Sequence, residues 1–119
     1  MFHDGSVRVL DELVNSGDLA ERTIVLFGAS FETRWLTRDL RLLGLEPALI
    51  LDNDAHKHGT VFEGATVVGP AAVSTLKAEE SVVLLTSRHY YSMSVQVRGL
   101  GYVGEIFRVV GSDSVYPAY

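Results

Sequence analysis

The sequence predicts an α/β protein, a three-layer sandwich around a parallel five-stranded sheet in the order 3-2-1-4-5. Three observations carry that expectation. Apolar, β-branched runs alternate with helical stripes along the whole chain. The runs at 23–27, 47–51 and 82–86 show no polar alternation, as strands buried on both faces of a parallel sheet require. The first of them ends on Gly28 and passes at once into a helical pattern, and such alternation joins parallel strands by right-handed crossovers.

Each element has its own reason. Val7, Leu10, Leu13 and Val14 recur at helical spacing and stop at Asn15-Ser16-Gly17-Asp18, which predicts a leading helix over about residues 6–16. Residues 23–27 form the central strand. Trp35, Leu36, Leu40 and Leu43 make one apolar stripe over 31–43, with Ser30 placed as N-cap and Gly44 just beyond the end. Residues 47–51 are the second strand and 53–59 a polar turn. Residues 65–68 are a short third strand, after which Gly69-Pro70 opens a helix through Ala71, Ala72, Val73 and Leu76, with proline in its tolerated first-turn position. The fourth strand is 82–86. Tyr90, Met93, Val97 and Leu100 stripe a last helix up to Gly99-Leu100-Gly101, and 106–110 is the closing strand.

The chain has 119 residues, 47% hydrophobic and 21% charged. That length supports one core and is too short for two, so a single domain is expected over 1–119 with its core at 22–110. The formal net charge of −5 disfavours nucleic acid as a partner, because neutralising phosphates needs a basic face. There is no cysteine, hence no disulfide framework and no thiolate chemistry. No apolar run approaches the roughly 20 residues of a membrane span, and Met1-Phe2-His3-Asp4-Gly5 lacks the basic and apolar regions of a signal peptide. A cytoplasmic location is expected.

Gly28 followed by Asp52 at the end of the second strand is half of a dinucleotide-binding fingerprint. In the full pattern three glycines shape the turn, admit a pyrophosphate and let the helix pack, and the acid binds ribose. Here Ser30 and Thr33 stand at the second and third glycine positions. In an open parallel sheet, ligands sit outside the carboxyl ends of the strands where the order reverses. That rule selects Gly28, Ser30 and Phe31 after the first strand and Asp52, Asn53 and Asp54 after the second. After the fourth it selects Thr86, Ser87, Arg88, His89 and Tyr90. Asp52 is expected on an exposed loop, either accepting from a ribose diol or forming the turn. The helix opening at Phe31 aims its positive end at the rim, but Glu32 in its first turn already answers that dipole.

Other clusters point less far. His56-Lys57-His58 with Asp52 and Asp54 has metal-ligating residue types, yet adjacent turn residues rarely converge on one ion. Ser30 after a strand resembles a nucleophile elbow that lacks its second glycine. Arg34, Arg38 and Arg41 form a stripe that reads as a solvated helix face, and Trp35, Tyr90, Tyr91 and Tyr102 read as core or subunit-contact aromatics.

Taken together, Ile24-Val25-Leu26-Phe27-Gly28, Leu51-Asp52-Asn53-Asp54, Lys57-x-Gly59, Phe62-Glu63-Gly64, Val67-Val68-Gly69-Pro70 and Gly101-Tyr102 resemble the Rossmann-like nucleotide-binding module of bacterial surface-glycan enzymes. The resemblance spans residues 22 to about 108. Similar modules precede the catalytic domains of nucleotide-sugar dehydratases and sugar-phosphate transferases, form the sugar-nucleotide-binding half of sugar acetyltransferases, and occur beside sugar methyltransferases and glycerophosphotransferases. The resemblance implies nucleotide contacts at Gly28, Ser30 and Asp52 and at the Thr86, Ser87 and Arg88 loop. The chain departs from it at Ser30-Phe31-Glu32-Thr33, where relatives usually keep a second glycine.

The first expectation is a noncatalytic nucleotide or nucleotide-sugar binding domain of a larger enzyme of cell-surface polysaccharide synthesis, because no acid, base and nucleophile set stands out. The second is the NAD(P)-binding domain of an oxidoreductase. The third is a degenerate module serving structure or oligomerisation. The implied partners are a small-molecule nucleotide, a second copy in a homodimer, or a covalently linked catalytic domain.

Overall fold

Parallel pairing sets the architecture. The computed structural model describes residues 7–86 and 88–110, and in it a sheet of seven strands runs in the order β1-β7-β6-β2-β3-β5-β4. The strands are β1 (Val7–Val9), β2 (Thr23–Phe27), β3 (Pro47–Leu51), β4 (Val61–Phe62), β5 (Ala65–Val68), β6 (Ser81–Leu85) and β7 (Glu105–Val110). Three α-helices join them: α1 (Leu10–Ser16), α2 (Phe31–Leu42) and α3 (Tyr90–Gly99). The five strands expected from the sequence occupy the middle of the sheet in the expected order.

β2 is paired on both edges, with β3 (Leu26 opposite Ile50) and with β6 (Leu26 opposite Leu84). Its side chains alternate between two cores. Ile24, Leu26, Ile50, Val67, Val82 and Leu84 face Leu10 and Leu13 of α1 and Leu36 and Leu40 of α2. Val25, Phe27, Leu51, Val83 and Leu85 face Val97 of α3 and Val73 of the β5–β6 connection. Burial on both faces explains why these strands read as unbroken apolar runs.

Three elements differ from the sequence expectation, each for a local reason. The leading helix does not reach Val7: Val7–Val9 is an edge strand paired in parallel with β7 (Val7 opposite Arg108), and only Leu10–Ser16 is helical. Two β-branched residues satisfied by a neighbouring strand outweigh a helical spacing that Val7 also fits. The segment after Gly69 forms a 3₁₀ helix, Pro70–Thr75, not an α-helix. The Ser74 and Thr75 hydroxyls there donate to the carbonyls three residues back, which favours the tighter winding of a short piece. The strand β4 was not expected at all. It pairs antiparallel with β5 through Glu63-Gly64, both at positive φ, +49° and +83°, as a two-residue type I′ hairpin turn requires.

That hairpin also corrects the reading of the arginine stripe. Arg34 Nε and Arg38 Nη2 each lie 3.1 Å from Glu63 Oε1, Arg41 donates to the Glu63 carbonyl, and Arg41 Nε lies 3.1 Å from Glu46. The stripe therefore clamps α2 to the sheet edge instead of facing solvent alone. Of the aromatics, Tyr102 is buried, Trp35 and Tyr90 are half-buried against the two cores, and Tyr91 is exposed.

Tyr102 anchors the start of the last crossover strand. Its hydroxyl lies 2.9 Å from Ser81 Oγ, which itself donates to Lys77 O at 2.7 Å, so the phenol is the donor of the pair. Burial pushes the Tyr102 pKa up, against the positive charges of Arg98 and Arg22, and keeps that proton in place. Arg98 Nη1 donates to the carbonyls of Tyr102 and Gly104. A methyl at Gly104 would run into the phenol ring and stand 3.0 Å from Ala78 O. Gly104→Ala is therefore expected to destabilise the fold by about 1–3 kcal/mol, the usual cost of overpacking, read as a lowered midpoint in urea denaturation.

Candidate functional site

The strand order reverses at β2: the chain leaves β2 toward β3 on one side and returns to β6 on the other. The carboxyl ends of β2, β3 and β6 then share a rim, the place where doubly wound sheets bind ligands. The β2 ladder continues one residue past the strand, with Gly28 N donating to Leu51 O at 2.6 Å, and Gly28 turns at φ +94°. A side chain would meet only an ordinary contact with Met93 there, 3.7 Å away, so backbone conformation and not space calls for glycine.

Asp52 is the centre of this rim. It was expected on an exposed loop, but its residue is only 9% exposed. Its N–H continues the β3–β5 ladder to Val68 O at 3.0 Å. Oδ2 accepts from Ala29 N at 2.9 Å and Oδ1 from Asp54 N at 2.8 Å. His58 Nε2 donates to the Asp52 carbonyl at 2.7 Å. Lys57 Nζ lies 3.6 Å from Oδ2 and donates to Ala29 O at 3.3 Å. Burial alone raises the Asp52 pKa, but the two backbone N–H groups and the Lys57 charge outweigh it and hold the carboxyl below its ordinary 3.8. The carboxylate thus ties the glycine turn to the end of β3, and any ligand contact is additional to that task.

The amino end of α2 opens on the same rim. Ser30 occupies the N-cap position with extended backbone, yet its side chain caps no N–H of the first turn. Its hydroxyl donates instead to Glu32 Oε2 at 3.0 Å, so the Glu32 carboxylate stands over the helix end. Phe31 is 61% exposed and meets Trp35 edge-on, with ring centroids 5.9 Å apart.

The other expected site residues divide. Asn53 reaches across to α3 and pairs amide to amide with Gln96, at 3.1 and 2.7 Å. Thr86 follows β6 and is buried, while Arg88 is exposed in the turn before α3. Ser87 lies outside the described residues. Asp54 accepts from His56 N at 3.0 Å and so shapes the 3₁₀ turn Ala55–Lys57. Among the described residues no three His, Asp or Glu side chains gather to hold a metal ion, and no helix is long and apolar enough to cross a membrane.

Sequence reasoning missed three rim residues. Lys57 enters the sequence reading only in the His56-Lys57-His58 cluster and the Lys57-x-Gly59 motif. Its signal was its place five residues past the acid, in a turn long enough to fold back. Gln96 had no signal beyond being the one glutamine of the sequence. Arg108, whose guanidinium lies 4.1 Å from the Tyr90 ring centroid, was read only as part of a strand.

No protein-family model matches the chain, and no curated protein matches it. Solved structures do. The chain is similar to the UDP-D-quinovosamine 4-dehydrogenase from Vibrio fischeri, at 22% identity and a TM-score of 0.61, over 79% of this chain and 82% of that one. It is also similar to RSP, a Rex-family repressor, at 14% identity and a TM-score of 0.60, over 88% of this chain and 61% of the repressor. RSP in complex with β-NADH matches at 13% identity and a TM-score of 0.56, over 84% of this chain and 61% of that one. The chain thus spans about three fifths of the repressor's length. These likenesses show a Rossmann-like fold.

The Asp52 geometry sets two expectations. Asp52→Ala removes two charge-assisted hydrogen bonds and leaves the Ala29 N–H without its acceptor, so the fold should lose about 2–3 kcal/mol, seen as a lower melting temperature. The pH dependence has a definite sign. Because the folded carboxyl titrates below 3.8, its stabilisation is complete above that value and is lost as pH falls through the lower folded pKa. Melting curves from pH 6 to about 2 should show a shallower acid decline in Asp52→Asn than in the native chain.

Proposed function

We propose that this chain is a noncatalytic nucleotide-binding module, taking a nucleotide-sugar or NAD(P), that serves a larger enzyme of cell-surface polysaccharide synthesis. One observation carries the reading: at the switch point of the sheet, the Gly28 turn is locked to Asp52, beside a helix amino end that Ser30 leaves uncapped. A helix end of that kind stabilises anions through its N–H groups and dipole. The Lys57 ammonium, half-exposed beside Ala29, adds a positive charge where a phosphate would lie. In this reading Gly28, Ser30 and Phe31 border the phosphates. Asp52 and Asn53 face ribose and base, with the second lone pair of Asp52 Oδ1 open to a hydroxyl. Thr86, Ser87 and Arg88 border a second phosphate or the sugar. Support for the two ligand classes comes from the similar structures, one a UDP-sugar dehydrogenase and the other a repressor in complex with β-NADH. The polysaccharide context rests on the motif resemblance. An NAD(P)-binding domain of an oxidoreductase is the same site put to another use.

A second reading, a degenerate module that pairs subunits, is favoured by the Glu32 carboxylate at the helix end and by the exposed Tyr91 and Val95 one turn apart on α3. Phosphate entry must displace that carboxylate.

A thermal-shift screen against NAD, NADP, UDP-sugars, CDP-sugars, CDP-glycerol and coenzyme A separates them. A ligand at 100 times its dissociation constant stabilises by about 2.7 kcal/mol, a shift of roughly 10 °C or more for a domain of this size. No shift with any of them, in folded protein, would leave the subunit-pairing reading. Glu32→Gln should tighten binding of a diphosphate ligand about two- to fivefold by removing the competing charge, measured by isothermal titration.

A further inference from the structure

One polar contact at the rim takes no part in holding the glycine turn. Asn53 Nδ2 donates to Gln96 Oε1 at 3.1 Å, and Gln96 Nε2 donates back to Asn53 Oδ1 at 2.7 Å. This closed carboxamide pair bridges the loop after β3 to α3. It lies one turn along α3 from Met93, whose methyl is 3.7 Å from where a side chain at Gly28 would begin. Both bonds are exposed, and water competes for them, so the pair holds weakly. The backbones beneath it are fixed. Asp52, next to Asn53, is bonded through its N–H, carbonyl and carboxylate, and Val97, next to Gln96, is fully buried. Two preorganised stems therefore carry two amides that need only swing apart.

We propose that Asn53 and Gln96 are the base-reading residues of the nucleotide crevice and that the base they read is adenine. The inference rests on the nucleotide-binding reading above and chooses between its two ligand classes in favour of the adenine-bearing one. Each carboxamide offers an acceptor beside a donor. Adenine has one amino group, N6, flanked by two ring acceptors, N1 and N7. Each N6 hydrogen can meet one carboxamide oxygen, while N1 and N7 accept from the two NH₂ groups. One adenine thus satisfies both amides that now satisfy each other, replacing two hydrogen bonds by four. Guanine presents two acceptors, O6 and N7, on one of the corresponding edges. Cytosine has a ring acceptor on one side of its amino group only, and uracil has no amino group. Each of these bases leaves part of one carboxamide unmatched, and a site built to hydrogen-bond rejects a ligand that leaves its polar groups unpaired.

The test is isothermal titration of the full chain with ADP, GDP, CDP and UDP at one salt concentration, repeated on Asn53→Ala and Gln96→Ala. ADP is expected to bind at least about tenfold more tightly than the other three. Each substitution is expected to weaken ADP by about tenfold, with smaller losses for the other three nucleotides and little change in melting temperature. Equal affinities for the four nucleotides, or an equal loss for all four in the variants, would overturn the base-reading role and leave the nucleotide-binding reading standing. Absence of binding by all four, with a folded native chain, would overturn both.

Discussion

Everything in this protein follows from pairing β2 in parallel on both of its edges. A parallel neighbour cannot be reached by a tight turn, so each step away from β2 requires a crossover, and the right-handed sense of crossovers places α2 on one face and α3 on the other. Both faces of β2 are then covered, and all of Ile24, Val25, Leu26 and Phe27 are buried. With about 25 cal/mol per Å² of apolar surface removed from water, such a strand is held by its faces as much as by its ladders. The reversal of strand order beside β2 is a geometric consequence of the same pairing. It leaves the carboxyl ends of three strands on one rim.

The rim solves an electrostatic problem that the fold creates. Ala29 must expose its N–H where the backbone leaves the ladder, and Asp52 must place a charge where solvent is scarce. Each answers the other, at 2.9 Å. Lys57 neutralises part of the remaining charge and bonds the Ala29 carbonyl in the same gesture. The result is a turn whose conformation is set by hydrogen bonds within the chain itself. The Glu32 carboxylate works against an anion at this rim and Lys57 works for one.

The outer edges follow a different logic. β1 and β4 are short strands that cover the two sides of the five-stranded middle. Short edge strands limit pairing with other chains, and Arg34, Arg38 and Arg41 fasten the β4–β5 turn to α2. A charge stripe on a helix surface became a tertiary clamp because the hairpin delivered one carboxylate to it. Nothing in the helix sequence distinguishes a clamped stripe from a solvated one.

The sequence by itself determined the class, the order of the five central strands and the place of the rim. Burial on both faces leaves its mark on every residue of a strand, as in Val82-Val83-Leu84-Leu85, and Gly28 announces the turn through its lack of a side chain. These are local constraints repeated along the chain, so they can be read one residue at a time. Asp52 was legible as a rim residue, but its use as an internal acceptor was not, because that depends on where the Ala29 N–H points after the chain has turned. The same holds for β1, which needs β7 to become a strand, for β4, which needs β5, and for Gln96, whose partner is 43 positions away. Only the tertiary structure decided these, since each is a contact between segments whose separation in sequence carries no information about their distance in space.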